Sequence, residues 1–143
     1  MPVPSKQPKI FVLDTSALLS LREDEAGADA VEQVLREAGP KNRVFVCFIS
    51  LMEFFYVLYQ KHGETEARRG YLELKQLPLR VIESDEELGL IAAQIKATTK
   101  LSVADAWIAA TTERLHGTLI HKDPEFEPLK ERISLAPLPY KNP

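Results

Sequence analysis

Ile10-Phe11-Val12-Leu13-Asp14-Thr15-Ser16 sets four apolar residues against an acid and two hydroxyl side chains. The apolar run, from about residue 9 to 13, is rich in β-branched and aromatic residues and reads as a short buried strand. Thr118-Leu119-Ile120-His121-Lys122-Asp123 repeats the arrangement near the other end of the chain. In an α/β protein the carboxyl ends of parallel strands line one crevice, and ligands bind there. Two strands that each lead to an acid therefore bring two carboxylates to one place.

Working outward, further strands read at 44–49, 79–82 and about 133–135. Helical patterns lie between them. They cover 15–21, 27–38, a helix opened by Ser50 and closed by His62-Gly63, then 64–76, 85–98 and 103–116. In the second, Ala30, Val31, Val34, Leu35 and Ala38 recur at helical spacing before Gly39-Pro40 stops it. A short turn or helix follows near 123–129. Strands alternating with helices predict an α/β fold with a mostly parallel sheet covered on both faces. One domain is expected over 1–143, with its core at about 9–138. Residues 1–8 and, within the Pro-rich end, 139–143 are expected to be loose.

Composition excludes several classes. The 143 residues are 45% hydrophobic and 27% charged, values of an ordinary globular domain. No apolar run approaches the roughly 20 residues of a membrane span, and no signal-peptide pattern precedes the first strand. A cytoplasmic location is the default expectation. The single cysteine, Cys47, rules out an internal disulfide or a Cys-rich zinc site, and its apolar surroundings read as core. A net charge of −3 gives no global attraction to nucleic acid, so a nucleic-acid enzyme needs metal ions or a local basic surface.

Four acids stand where apolar runs give way to polar residues: Asp14, Glu53, Asp105 and Asp123. Each has a purely structural alternative. Ser50-Leu51-Met52-Glu53 fits a capping box, and Ser102-Val103-Ala104-Asp105 fits the same pattern with Asp. Asp14 suits a helix N-cap, and Asp123-Pro124 suits a turn. Taken together, they also suit a pocket for a hard divalent cation, since clustered carboxylates repel and a cation relieves that cost. Trp107 reads as packing with Ile108, Thr111 and Leu115. His62 and His116 sit at helix ends, where a cation favours the dipole. Lys96 and Lys100, ahead of Asp105, are candidate phosphate contacts.

These residues resemble the PIN-domain ribonucleases, and within them the VapC-type toxins of toxin–antitoxin pairs. The matching stretches begin with Val12-Leu13-Asp14-Thr15-Ser16-Ala17 and Ser50-Leu51-Met52-Glu53-Phe54. They continue with Leu101-Ser102-Val103-Ala104-Asp105-Ala106-Trp107-Ile108-Ala109-Ala110 and Leu119-Ile120-His121-Lys122-Asp123-Pro124-Glu125-Phe126. Order and spacing agree over about 9–138. The resemblance implies a three-layer PIN-like sandwich around a five-stranded parallel sheet. It also implies one pocket in which Asp14, Glu53, Asp105 and Asp123 hold one or two Mg²⁺ or Mn²⁺ ions. Ser16, and less directly Thr15, would orient Asp14 or a bound water. His121 departs from the family's usual small hydroxyl residue, and an RNA contact is expected of it instead. An RNA substrate, a cognate antitoxin and a homodimer are the partners implied.

The reaction expected is metal-dependent hydrolysis of RNA phosphodiesters. Three rivals remain. A receiver-type signalling domain usually carries adjacent acids after its first strand, and an Asp-x-Asp phosphatase needs a second acid where Ser16 stands. The third is a non-catalytic module of the same fold that binds nucleic acid or protein.

Overall fold

A computed structural model describes residues 7–141. Five strands form one sheet: β1 (Lys9–Leu13), β2 (Asn42–Cys47), β3 (Arg80–Ile82), β4 (Thr118–His121) and β5 (Ser134–Pro137). Their order is β3-β2-β1-β4-β5, and every pairing is parallel. Parallel pairing requires crossovers, and six helices supply them. They are α1 (Thr15–Arg22), α2 (Ala28–Arg36), α3 (Phe48–His62), α4 (Glu64–Lys75), α5 (Glu86–Thr98) and α6 (Val103–Leu115). A 3-10 turn, Pro124–Leu129, links β4 toward β5.

Both faces of the sheet are buried, which is why its strands read as continuous apolar runs. On one side Val12, Phe45, Cys47 and Leu119 pack with Leu88 and Ile95 of α5 and Ile108 and Ala109 of α6. On the other, Leu13, Val44, Val46 and Ile120 pack with Leu18, Val31, Phe54, Leu58 and Leu74 from α1 to α4. The result is the three-layer arrangement expected.

From β1 the chain moves to β2 on one side, and β4 later fills the other. The carboxyl ends of β1 and β4 thus flank the switch point of the sheet, the place where such folds leave a crevice. Leu13 pairs with Ile120, and the Asp14 N–H donates to the Ile120 carbonyl at 3.0 Å. Asp14 therefore sits at the head of the crevice.

Two local expectations are corrected. The strand read at 44–49 ends at Cys47, because Phe48 and Ile49 already belong to α3. Their β-favouring side chains are overridden by packing: Phe48 meets the Trp107 ring edge-on, with centroids 5.0 Å apart. The tail is not loose where it is described. Leu138 is buried, its N–H donates to the His121 carbonyl at 2.7 Å, and Lys141 pairs with Glu25 at 2.8 Å. Residues 1–6 and 142–143, also expected to be loose, lie outside the described residues.

Candidate metal centre

Asp14 follows the last residue of β1 and caps α1, accepting from the Ser16 backbone N–H at 3.3 Å. The Ser16 hydroxyl donates to the same oxygen, Asp14 Oδ2, and accepts from the Lys122 N–H at 3.0 Å. Ser16 thus ties the start of α1 to the end of β4. The second oxygen, Asp14 Oδ1, is buried without a hydrogen-bond partner. Capping and site formation are compatible here, because the cap uses only one of the two oxygens.

Glu53 is not a capping residue. The helix begins five residues earlier than Glu53, at Phe48, so Ser50 lies inside it with its buried hydroxyl unpaired. The Glu53 carboxylate instead accepts from the Thr15 hydroxyl at 2.7 Å, across from α3 to α1. Asp105 lies in the first turn of α6. Ser102 caps that helix by accepting from the Asp105 N–H at 3.1 Å. Asp123 caps the 3-10 turn through the Glu125 N–H at 2.9 Å.

The acids act on one another electrostatically. Burial raises Asp14 to about 6, against the hydrogen bond from Ser16, and the Glu53 charge adds to the rise. Burial also raises Asp105 to about 7, and the charges of Asp14, Glu53 and Asp123 push it further. Asp105, Asp123 and Glu125 each bring one carboxylate oxygen within 4.8 Å of the others. Glu125 is an addition to the expected set. Its place in Asp123-Pro124-Glu125 reads as an ordinary turn, and only the tightness of a 3-10 turn folds it back beside Asp123.

The donors fit a hard divalent cation. All are carboxylate oxygens, the ligand type that Mg²⁺ and Mn²⁺ prefer. The unpaired Asp14 Oδ1 is a buried acceptor that a cation would satisfy.

The other expected site residues separate. Ser16 and Thr15 lie beside the acids, as described. Lys96 and Lys100 are exposed, and Lys96 borders a different cavity, between α5 and α6, lined by Gly89, Val103 and Trp107. His121 is corrected as an RNA contact, because its side chain is fully buried. Its ring packs edge-on against Phe126 with centroids 5.2 Å apart, and Nδ1 accepts from the Asp123 N–H at 3.2 Å. Burial lowers its pKa and favours the neutral ring that such an acceptor requires. His121 therefore supports the backbone of Asp123 from within.

Among the described residues, no helix is long and apolar enough to cross a membrane. No curated protein sequence matches the chain. Among solved structures, VapBC2 from Rickettsia felis, bound to a promoter DNA fragment, aligns with TM-score 0.72 and 14% identity. The alignment covers 91% of this chain and 99% of that one. VapBC-1 from nontypeable Haemophilus influenzae gives 0.71 and 22%, over 90% and 97%. VapC20 from Mycobacterium tuberculosis, a sarcin-ricin loop cleaving toxin, gives 0.67 and 19%, over 84% and 94%. These likenesses establish the fold. The family model for the PIN domain matches residues 11–131, a span that takes in all four acids. With that match and this sheet order, the chain belongs to the PIN domain family.

Proposed function

We propose that this chain is a divalent-metal-dependent ribonuclease and the toxin of a toxin–antitoxin pair. The observation that supports the reading is that Asp105 feels the charges of Asp14, Glu53 and Asp123 and brings a carboxylate oxygen within 4.8 Å of Asp123 and Glu125. Asp14 and Asp123 follow the carboxyl ends of β1 and β4, and α3 and α6 bring the charges of Glu53 and Asp105 to them. Acids placed for folding alone have no reason to converge at a cost to the fold.

Asp14, Asp105 and Asp123 would hold Mg²⁺ or Mn²⁺, with Glu53 and Glu125 at the sides. When bound, such an ion acts as a Lewis acid toward the phosphodiester and offsets the charge of substrate and pocket. Ser16 keeps one Asp14 oxygen fixed and leaves the other without a hydrogen-bond partner, available to an ion. Glu53, half-buried and steadied by Thr15, is the residue we assign to take a proton from the attacking water.

The toxin role is carried over from the VapBC neighbours and from VapC20. An antitoxin would have an apolar cavity to fill between α1, α3 and α4, lined by Leu18, Leu21, Phe54, Leu74 and Leu77. Arg22, paired with Glu66 and Glu73, stands at its rim. A homodimer would cover the exposed face of α3.

The test is cleavage of a mixed RNA pool by the purified chain, in Mg²⁺ or Mn²⁺ against EDTA, beside Asp14→Asn and Asp105→Asn. Cutting that needs the ion and falls at least about 100-fold in either folded variant is the expected result. Cutting that persists in EDTA, or in both variants, would move the chemistry elsewhere.

A further inference from the structure

Next to the acids, on the side of Asp123, lies a cavity of about 330 Å³. Five separate segments build it. Ser16 comes from α1, Glu25 from the loop after it, Lys61 from the last turn of α3, Lys122 from the end of β4, and Tyr140 and Lys141 from the tail. In a chain of net charge −3, three lysines line this one cavity, against the two acids Glu25 and Asp123.

Two of these lysines are fixed. Lys122 donates to the Ala26 carbonyl at 2.8 Å, and Lys141 pairs with Glu25 at 2.8 Å. Lys61 has no ion-pair partner among the described residues, yet its charge reaches Glu25. Tyr140 is half-buried, with its hydroxyl donating to Glu127 at 2.9 Å, so its ring is held in place. Basic groups that track a backbone beside an anchored aromatic ring are the elements of single-strand recognition.

We propose that this cavity receives the nucleotide of a single-stranded RNA adjacent to the scissile phosphate. Lys61, Lys122 and Lys141 meet its phosphate, and Tyr140 stacks on its base. This rests on the nuclease reading for the identity of the ligand. The volume falls at the lower end of small-ligand sites, about 300–1,000 Å³, which suits one nucleotide. The surface lysines also answer how an acidic protein approaches a polyanion.

The experiment measures binding of a 12-nucleotide single-stranded RNA by fluorescence anisotropy, with Mg²⁺ present, in the full chain carrying Asp14→Asn. Lys61→Gln and Lys141→Gln are added singly and together, and salt is varied. The double variant is expected to weaken binding about tenfold or more and to flatten the salt dependence by roughly one phosphate contact. Tyr140→Leu should weaken binding about tenfold, and Tyr140→Phe should restore it, since the ring rather than the hydroxyl stacks. Circular dichroism confirms that each variant is folded. In otherwise wild-type protein, the loss of cleavage should fall on KM.

Unchanged RNA affinity and salt slope in folded variants, with metal-dependent cleavage intact in the wild type, would overturn the subsite alone. A Glu-rich peptide whose binding depends on the same lysines, beside unchanged RNA affinity, would also overturn it and give the cavity to a protein partner. A wild-type chain that neither binds nor cuts RNA would overturn both readings.

Discussion

Asp14 and Asp105 carry a cost that the fold retains. Burial holds them at about 6 and about 7 in the folded protein, against 3.8 for the ordinary side chain. The unfolded chain releases these protons near pH 4, whereas the folded chain keeps them until pH 6–7. Between those limits the folded state binds more protons, so metal-free stability falls as pH rises through the window and levels off above it. For buried Asp14 the loss is on the order of 2–3 kcal/mol. Glu25, held low by its hydrogen bond from Lys141, works in the opposite sense, but only where pH drops below its ordinary value of 4.5. Asn at position 14 stays neutral and still caps a helix well. Asp14→Asn is therefore expected to equal or exceed the wild type in melting temperature at pH 7.5 in EDTA, with a flatter profile from pH 5 to 7.5. Differential scanning fluorimetry measures both. Mg²⁺ or Mn²⁺ should raise the wild-type melting temperature more at pH 7.5 than at pH 5.5, because protons compete for the same oxygens.

Among the elements, α3 does most to connect site and surface. One face sends Glu53 to the acids, and Phe54 and Leu58 enter the core. Another face exposes Met52, Tyr56 and Tyr59, which are 56%, 42% and 47% accessible, an unusual surplus of apolar surface for a solvated helix. If a second copy covers this face, Met52→Glu buries a charge in the interface and should shift the mass in light scattering from dimer to monomer. A wild-type monomer at the same concentration would refute the dimer. The same helix shows where sequence reading succeeds and where it stops. Strand-to-acid junctions at Asp14 and Asp123 are legible because a buried parallel strand must be apolar throughout. The start of α3 is not, since Phe48 and Ile49 have strand-like side chains and the ring that Phe48 packs on, Trp107, lies 59 residues away. Glu53 therefore resembles a cap in the sequence while binding Thr15 in the fold. Glu125 is hidden by turn chemistry, and the burial of His121 by a titratable residue type that reads as exposed although its strand is covered on both sides.

At the scale of the molecule, the tail closes the structure. Leu138 packs on the side of the sheet that carries α1 to α4, and Gly27, at φ +98°, makes room for it. A Cβ on Gly27 would approach the Leu138 Cβ to 3.0 Å. Leu138→Ala should cost about 2–4 kcal/mol in urea unfolding, by the lost burial and the cavity left behind. A cost below about 1 kcal/mol would mean that the tail merely rests on the surface. Pro-rich composition concealed the contacts beyond Leu138, of Tyr140 with Glu127 and of Lys141 with Glu25, because it argues against regular structure without arguing against contact. The strand order has a consequence for synthesis. β1 is made early and takes the centre of the sheet, but β4, its neighbour on one side, is translated about a hundred residues later. At roughly 5–20 residues per second, a growing chain spends several seconds with that edge of β1 open. Asp14 and Asp123 stay apart throughout. On the proposed function, a chain built this way gains no nuclease activity by degrees while it is being made: the acids that follow β1 and β4 come together only when β4 emerges and slots in.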